Sequence, residues 1–94
     1  MTGLDDLRDK IAHIDREILN LIRQRMDLVD EVGIFKAEIG DSPLNSAAEA
    51  AVVKRYRNYA EKNGLDADNS ERICRAIMNE AVEREKNIAV RIKH

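Results

Sequence analysis

The feature that most constrains this chain is an apolar stripe of unusual length near its start. Leu7, Ile11, Ile14, Ile18, Leu21, Arg25, Leu28, Val32, Phe35 and Ile39 follow one another in steps that alternate between four and three residues. That is the heptad spacing of a helix offering one seam to a partner. No proline interrupts it. Gly33 costs such a helix about 1 kcal/mol relative to alanine and points to a close approach by a neighbouring element. The break comes at Gly40-Asp41-Ser42-Pro43. A helix of about 35 residues is roughly 50 Å long, whereas a compact domain of 94 residues is only about 30 Å across. The first helix therefore overshoots its own domain, and its stripe must still be buried. A second copy of the chain does this most economically, so the expected assembly is an all-α homodimer packed along the first helix. The alternative is a monomer whose first helix is broken near Gly33.

The remainder is also helical. Ser46 and Glu49 have the spacing of a capping box, and a stripe through Val52, Tyr56 and Tyr59 ends at Asn63-Gly64. A third helix opens within Asp66–Ser70 and carries Ile73, Ile77, Ala81, Glu85, Ile88 and Ile92 on one face. The fold expected is all-α, a single domain over residues 1–94 with helices at about 4–39, 46–63 and 68–91.

Composition narrows the function. Two Tyr, one Phe and no Trp argue against a β-sandwich and against a base-stacking module. Sixteen basic and eighteen acidic side chains, net −2, lack the basic excess of a duplex binder, so no nucleic-acid partner is expected. No apolar run is long enough to span a membrane, and residues 1–10 hold no signal-peptide core. The expected location is cytoplasmic, with no membrane partner. The lone Cys74 excludes an internal disulfide and reads as a small core hydrophobe. His13 and His94 lack companions at metal-ligand spacing and read as surface residues. Lys54-Arg55-Tyr56-Arg57 reads as a solvated helix face. There is no glycine-rich phosphate loop, no Ser/His/Asp or Cys/His set and no metal cluster. An enzyme built this way works by positioning and electrostatics rather than through nucleophiles or metals.

The informative residues are polar ones on apolar stripes. Arg25 sits at a core position of the first helix. Lys36, eleven residues on, points in nearly the same direction about 16 Å further along the axis. Glu85 interrupts the third stripe, and Glu49 extends the second. Each has a purely structural reading: an Arg25–Glu85 ion pair, a Lys36 that snorkels past Phe35, a Glu49 that caps with Ser46. Together, two cations and two carboxylates make a polar pocket inside a helical bundle, suited to a small anionic ligand.

Leu7-Arg8-Asp9-Lys10-Ile11, Ile14-Asp15, Arg25, Val32-Gly33 with Lys36, and Leu65-Asp66-Ala67, in this order and spacing, resemble the small all-α chorismate mutases, the AroQ class, over about residues 4–90. The resemblance implies a three-helix chain in an intertwined homodimer, acting in aromatic amino acid biosynthesis. Its reaction is the cofactor-free Claisen rearrangement of chorismate to prephenate. By the same resemblance, Arg8 of the partner chain grips one substrate carboxylate and Arg25 the other. Lys36 reaches the ether oxygen and a carboxylate, and Glu49 holds the ring hydroxyl. The geometry agrees for Arg8: it lies about 25 Å along the helix from Arg25, too far for one small substrate to touch both on one straight helix.

Three departures from the family pattern stand out. Many members carry Gln at the position of Glu85, so Glu85 must be protonated to donate to the ether oxygen, and activity is expected to favour mildly acidic pH. Where the family has Asp-x-x-Arg-Glu, this chain has Asn45-Ser46-Ala47-Ala48-Glu49. Asn45 is expected to offer its backbone to the substrate, and Arg55 or Arg57 to stand in for the arginine missing at Ala48. At a position where Ser often meets a carboxylate, the chain has Ala81. The altered loop keeps open a related enzyme: an isochorismate pyruvate lyase or a mutase for 4-amino-4-deoxychorismate. A non-catalytic helical interaction module, its stripe charges paired between helices, is the alternative from another class.

Overall fold

A computed structural model describes residues 3–93; His94 lies outside the described residues. The chain is all-helical there, with α1 at Leu4–Ile39, α2 at Ser46–Lys62 and α3 at Ala67–Lys93. α1 runs unbroken through Gly33, so a break at that glycine is not how this chain resolves the length of its first helix. Its 36 residues give a rod of about 54 Å, and the chain measures 59 × 25 × 14 Å.

The helix ends follow from local chemistry. α1 opens with Asp5 and Asp6 in its first turn, where carboxylates meet the positive end of the helix dipole. It closes on Gly40 at φ 74°. Gly40 N–H donates to the Ala37 carbonyl and Asp41 N–H to that of Lys36, at 3.3 and 2.8 Å, a left-handed closure that favours glycine. α2 starts from Asn45, whose side-chain oxygen accepts from Ala48 N–H at 3.0 Å. The Ser46–Glu49 box suggested by spacing does not form, because the chain enters the helix one residue earlier and Ser46 is already inside it. α3 starts from Asp66, which accepts from Asn69 N–H at 2.8 Å.

α3 is the middle element, with α1 packed on one side and α2 on the other. It runs in the same direction as α1: Asp30 pairs with Arg84, and Gly33 lies against Glu85 and Ile88. The core is narrow, made of Met26, Ala60, Cys74, Met78 and Ala81, with Gly33 and Glu85 buried among them. The face that α1 turns toward α3 carries Met26, Val29, Gly33 and Lys36. It is not the heptad stripe. Leu7, Ile11, Ile14, Ile18, Leu21, Leu28, Val32, Phe35 and Ile39 are all 47–63% exposed in the single chain. Tyr59 and Ile73, expected on inward stripes, are exposed as well. One chain has only enough helix to cover one side of α1, and only its second half. Among the described residues, no helix is long and apolar enough to cross a membrane.

Candidate active site

Side chains from all three helices converge on one cavity of about 130 Å³ between the second half of α1, the start of α2 and the middle of α3. Arg25, Lys36, Asn45, Glu49, Ala81 and Glu85 all line it. Arg25 and Lys36 reach it from α1, eleven residues and three turns apart. Glu49 enters from the first turn of α2, and Ala81 and Glu85 lie one turn apart on α3.

Glu85 is the most deeply placed charge, 7% exposed. Its Oε1 lies 2.9 Å from Lys36 Nζ. Lys36 also donates to the Pro43 carbonyl at 3.3 Å, tying the α1–α2 loop to the cavity. The ammonium approaches Oε1 outside hydrogen-bond geometry, so that oxygen is ion-paired yet buried with no donor aimed at it. A buried acceptor in that condition costs free energy until a partner arrives.

This pairing differs from the simplest structural expectation. Glu85 takes Lys36 and not Arg25, because Lys36 stands at the level of Glu85 while Arg25 stands beside Cys74. Lys36 is largely buried instead of snorkelling, its side chain 20% exposed. Arg25 faces the cavity with no ion-pair partner among the described residues. Burial pushes the Cys74 thiol up, against the pull of the Arg25 guanidinium.

Other expected residues lie elsewhere. Arg8, near the start of α1, is 69% exposed at its side chain and reaches Asp5 at 3.9 Å. About 25 Å of helix separates it from Arg25. The side chain of Asn45 is committed to its cap. Neither arginine expected to replace the one missing at Ala48 reaches the cavity. Arg57 Nη1 bonds Asp68 and Glu71, each at 3.0 Å, and this draws it toward the start of α3. Arg55 lines a separate groove between α2 and α3. His13 pairs with Glu17 on the surface of α1.

Some lining residues escaped the reading of the sequence. Val29, Val52, Met78 and Val82 form apolar walls of the cavity. Val29, Val52 and Val82 are each three or four residues from a polar lining residue, and Met78 is seven from Glu85, so the signal was present as a shared helix face. The Pro43 carbonyl is a backbone group and leaves no such signal.

Residues 7–86 match the family described as chorismate mutase type II. The chain belongs to the chorismate mutase type II family. That span encloses every residue named above as a site candidate, Arg8 and Glu85 included. Among curated relatives, the T-protein of Haemophilus influenzae is 37% identical over 81 residues, covering 86% of this chain and 22% of the relative. The T-protein of Enterobacter agglomerans is 35% identical over 78 residues, covering 83% of this chain and 21% of the relative. The isochorismate pyruvate lyase of Pseudomonas aeruginosa is 41% identical over 66 residues, covering 70% of this chain and 64% of the relative. This member of the type II family thus spans about a fifth of the T-proteins' length and just under two thirds of the lyase's.

Proposed function

We propose that this chain is a chorismate mutase, converting chorismate to prephenate in an intramolecular Claisen rearrangement. The observation that carries the reading is the convergence of Arg25, Lys36, Glu49 and Glu85 on one cavity in a member of the chorismate mutase type II family. In the reaction one C–O bond breaks and one C–C bond forms within the same molecule, so no external nucleophile, proton donor or electron carrier is consumed. The protein has two tasks: to hold the substrate folded, and to stabilise negative charge developing on the ether oxygen.

Arg25 grips one carboxylate through its guanidinium fork. Lys36 turns from Glu85 toward the ether oxygen and the neighbouring carboxylate. Glu85 contributes in its protonated form, donating to the ether oxygen as charge builds there; ionised, it would repel that charge. Glu49 accepts from the ring hydroxyl. Asn45, its side chain held in the α2 cap, contributes backbone, and Ala81 contributes a wall that bonds nothing.

The cavity is incomplete in one chain. Arg25 grips only one carboxylate, and a dicarboxylate requires a further cation for the other. The fit is a homodimer in which an antiparallel α1 of the second chain delivers its Arg8. Two exposed apolar surfaces support it: the stripe Leu7, Ile11, Ile14, Ile18 at the start of α1, and a groove of about 420 Å³ between α2 and α3 lined by Tyr56, Tyr59, Leu65 and Ile73. One is a ridge without a groove and the other a groove without a ridge. Sedimentation at micromolar concentration should return the mass of two chains; a one-chain mass refutes the assembly. The location consistent with this reading is the cytoplasm.

A second reading is elimination of pyruvate from isochorismate. The Pseudomonas aeruginosa relative and the substituted Asn45–Glu49 segment, which borders the cavity, favour it. The deciding experiment follows the absorbance of chorismate and identifies the product, with isochorismate run in parallel. Prephenate from chorismate is the expected result. Pyruvate from isochorismate alone would replace the reading with the second, and inertness toward both substrates would end both.

A further inference from the structure

We propose that Gly33 is a positioning residue for Glu85, its missing side chain setting the α1–α3 separation at which the buried carboxyl and Lys36 meet. This rests on the reading of the cavity as a mutase site. Gly33 is buried on α1. A Cβ built there would meet Ile88 Cδ1 at 3.2 Å, Glu85 Cγ at 3.3 Å and Glu85 Cα at 3.4 Å. Two of these three atoms belong to Glu85, and one is backbone. Gly33 is also one turn before Lys36, whose ammonium is 2.9 Å from Glu85 Oε1. The same patch of helix contact therefore fixes both how near α3 comes and how far Lys36 must reach.

The three contacts respond differently to an added methyl. Ile88 Cδ1 is the tip of a flexible side chain and swings aside. The Cα of Glu85 moves only with α3 itself, and its Cγ only with a rotation that re-aims the carboxyl. Gly33→Ala thus shifts Glu85 by a few tenths of an ångström, at one of the two residues aimed at the ether oxygen. Misplacement of about 1 Å costs up to about a hundredfold in rate, so a fraction of that predicts about a tenfold loss.

Ile88→Val removes Cδ1 and nothing else, which separates packing from positioning. Gly33→Ala should lower the urea midpoint and lower kcat about tenfold, leaving KM within twofold, because the lost interaction belongs to the transition state. Gly33→Ala with Ile88→Val should recover the urea midpoint of Ile88→Val alone while kcat stays depressed. Recovery of kcat together with stability, or a change confined to KM, overturns the proposal. A readout free of activity is the coupling between Lys36→Met and Glu85→Gln in a double-mutant cycle of urea melts at fixed protein concentration. It should fall by at least half in the Gly33→Ala background. Undiminished coupling overturns the positioning role whatever the activity. Lost coupling in a chain whose wild type is inert toward chorismate overturns the activity and leaves the positioning role standing.

Discussion

The two cations of the cavity predict opposite stability effects. Lys36 neutralises a carboxylate that is 7% exposed, whereas Arg25 faces the cavity unpaired. Lys36→Met keeps most of the apolar stem and strands Glu85 as a buried charge. Breaking a fully buried pair costs roughly 3–5 kcal/mol. The Lys36 side chain is 20% exposed, so water relieves part of this, and roughly 2 kcal/mol is the expected cost. With a urea slope of about 1–3 kcal/mol/M for a small protein, the midpoint should fall by about 1 M. Arg25→Met removes a charge that no carboxylate answers and should shift the midpoint by less than about 0.3 M, a surface-sized effect. The assay is helical circular dichroism against urea at pH 7.5 and fixed protein concentration. Adding Glu85→Gln should restore most of the midpoint, since a neutral amide tolerates that site better than an unpaired charge. Equal losses for the two cations, or a neutral Lys36→Met, would refute a cavity in which one cation is structural and the other held ready for ligand.

If Glu85 works as a donor to the ether oxygen, Glu85→Gln, which keeps a donor there, should retain most of kcat whereas Glu85→Ala should lose it; equal losses remove the donor role. Ala48→Arg adds a cation where Ala48 lines the cavity and should lower KM for chorismate several-fold at nearly constant kcat, whereas an unchanged KM means this position does not face the substrate's carboxylates. Glu71 is held below the usual carboxylate range chiefly by Arg75 and also by Arg57, against the opposing effect of burial. Its contribution is therefore complete above its unfolded-state value and is lost as pH falls through the lower folded one, so Glu71→Gln should melt earlier than wild type at pH 7 and converge with it in acid; a gap independent of pH contradicts this. Arg8→Ala and Arg25→Met should each be inactive alone, yet refolding an equal mixture should recover about a quarter of the wild-type sites, since half the dimers are mixed and each mixed dimer holds one intact site. No recovery would place Arg8 outside the partner's site.

What the sequence conveys about such a molecule depends on whether a property lies along one helix or between two. The length of α1, the breaks at Gly40-Asp41 and Asn63-Gly64 and the shared direction of Arg25 and Lys36 are properties of one helix, and its periodicity expresses them directly. The pairing of Glu85 is a property of two. Arg25 and Lys36 are equivalent by helix angle, and only the register of α3 against α1 decides which of them meets the carboxylate. That register is visible in the structure as Asp30 facing Arg84, Gly33 facing Glu85, and Lys36 one turn beyond. Arg25, eight residues before Gly33, is left about 12 Å short along the axis. No periodicity carries that offset. The same limit explains the apolar stripe. Its spacing announces a seam, but α1 carries two usable faces, and the sequence alone does not say that Met26, Val29 and Gly33 are spent inside the chain while Leu28, Val32 and Phe35 stay outside. Gly33 connects the two scales. It is legible as a helix position that something must approach closely, and among what approaches it are the Cα and Cγ of Glu85, the residue whose partner the periodicity left open. A residue with no side chain thereby lies against the one whose ion pair only the register of α3 on α1 decides.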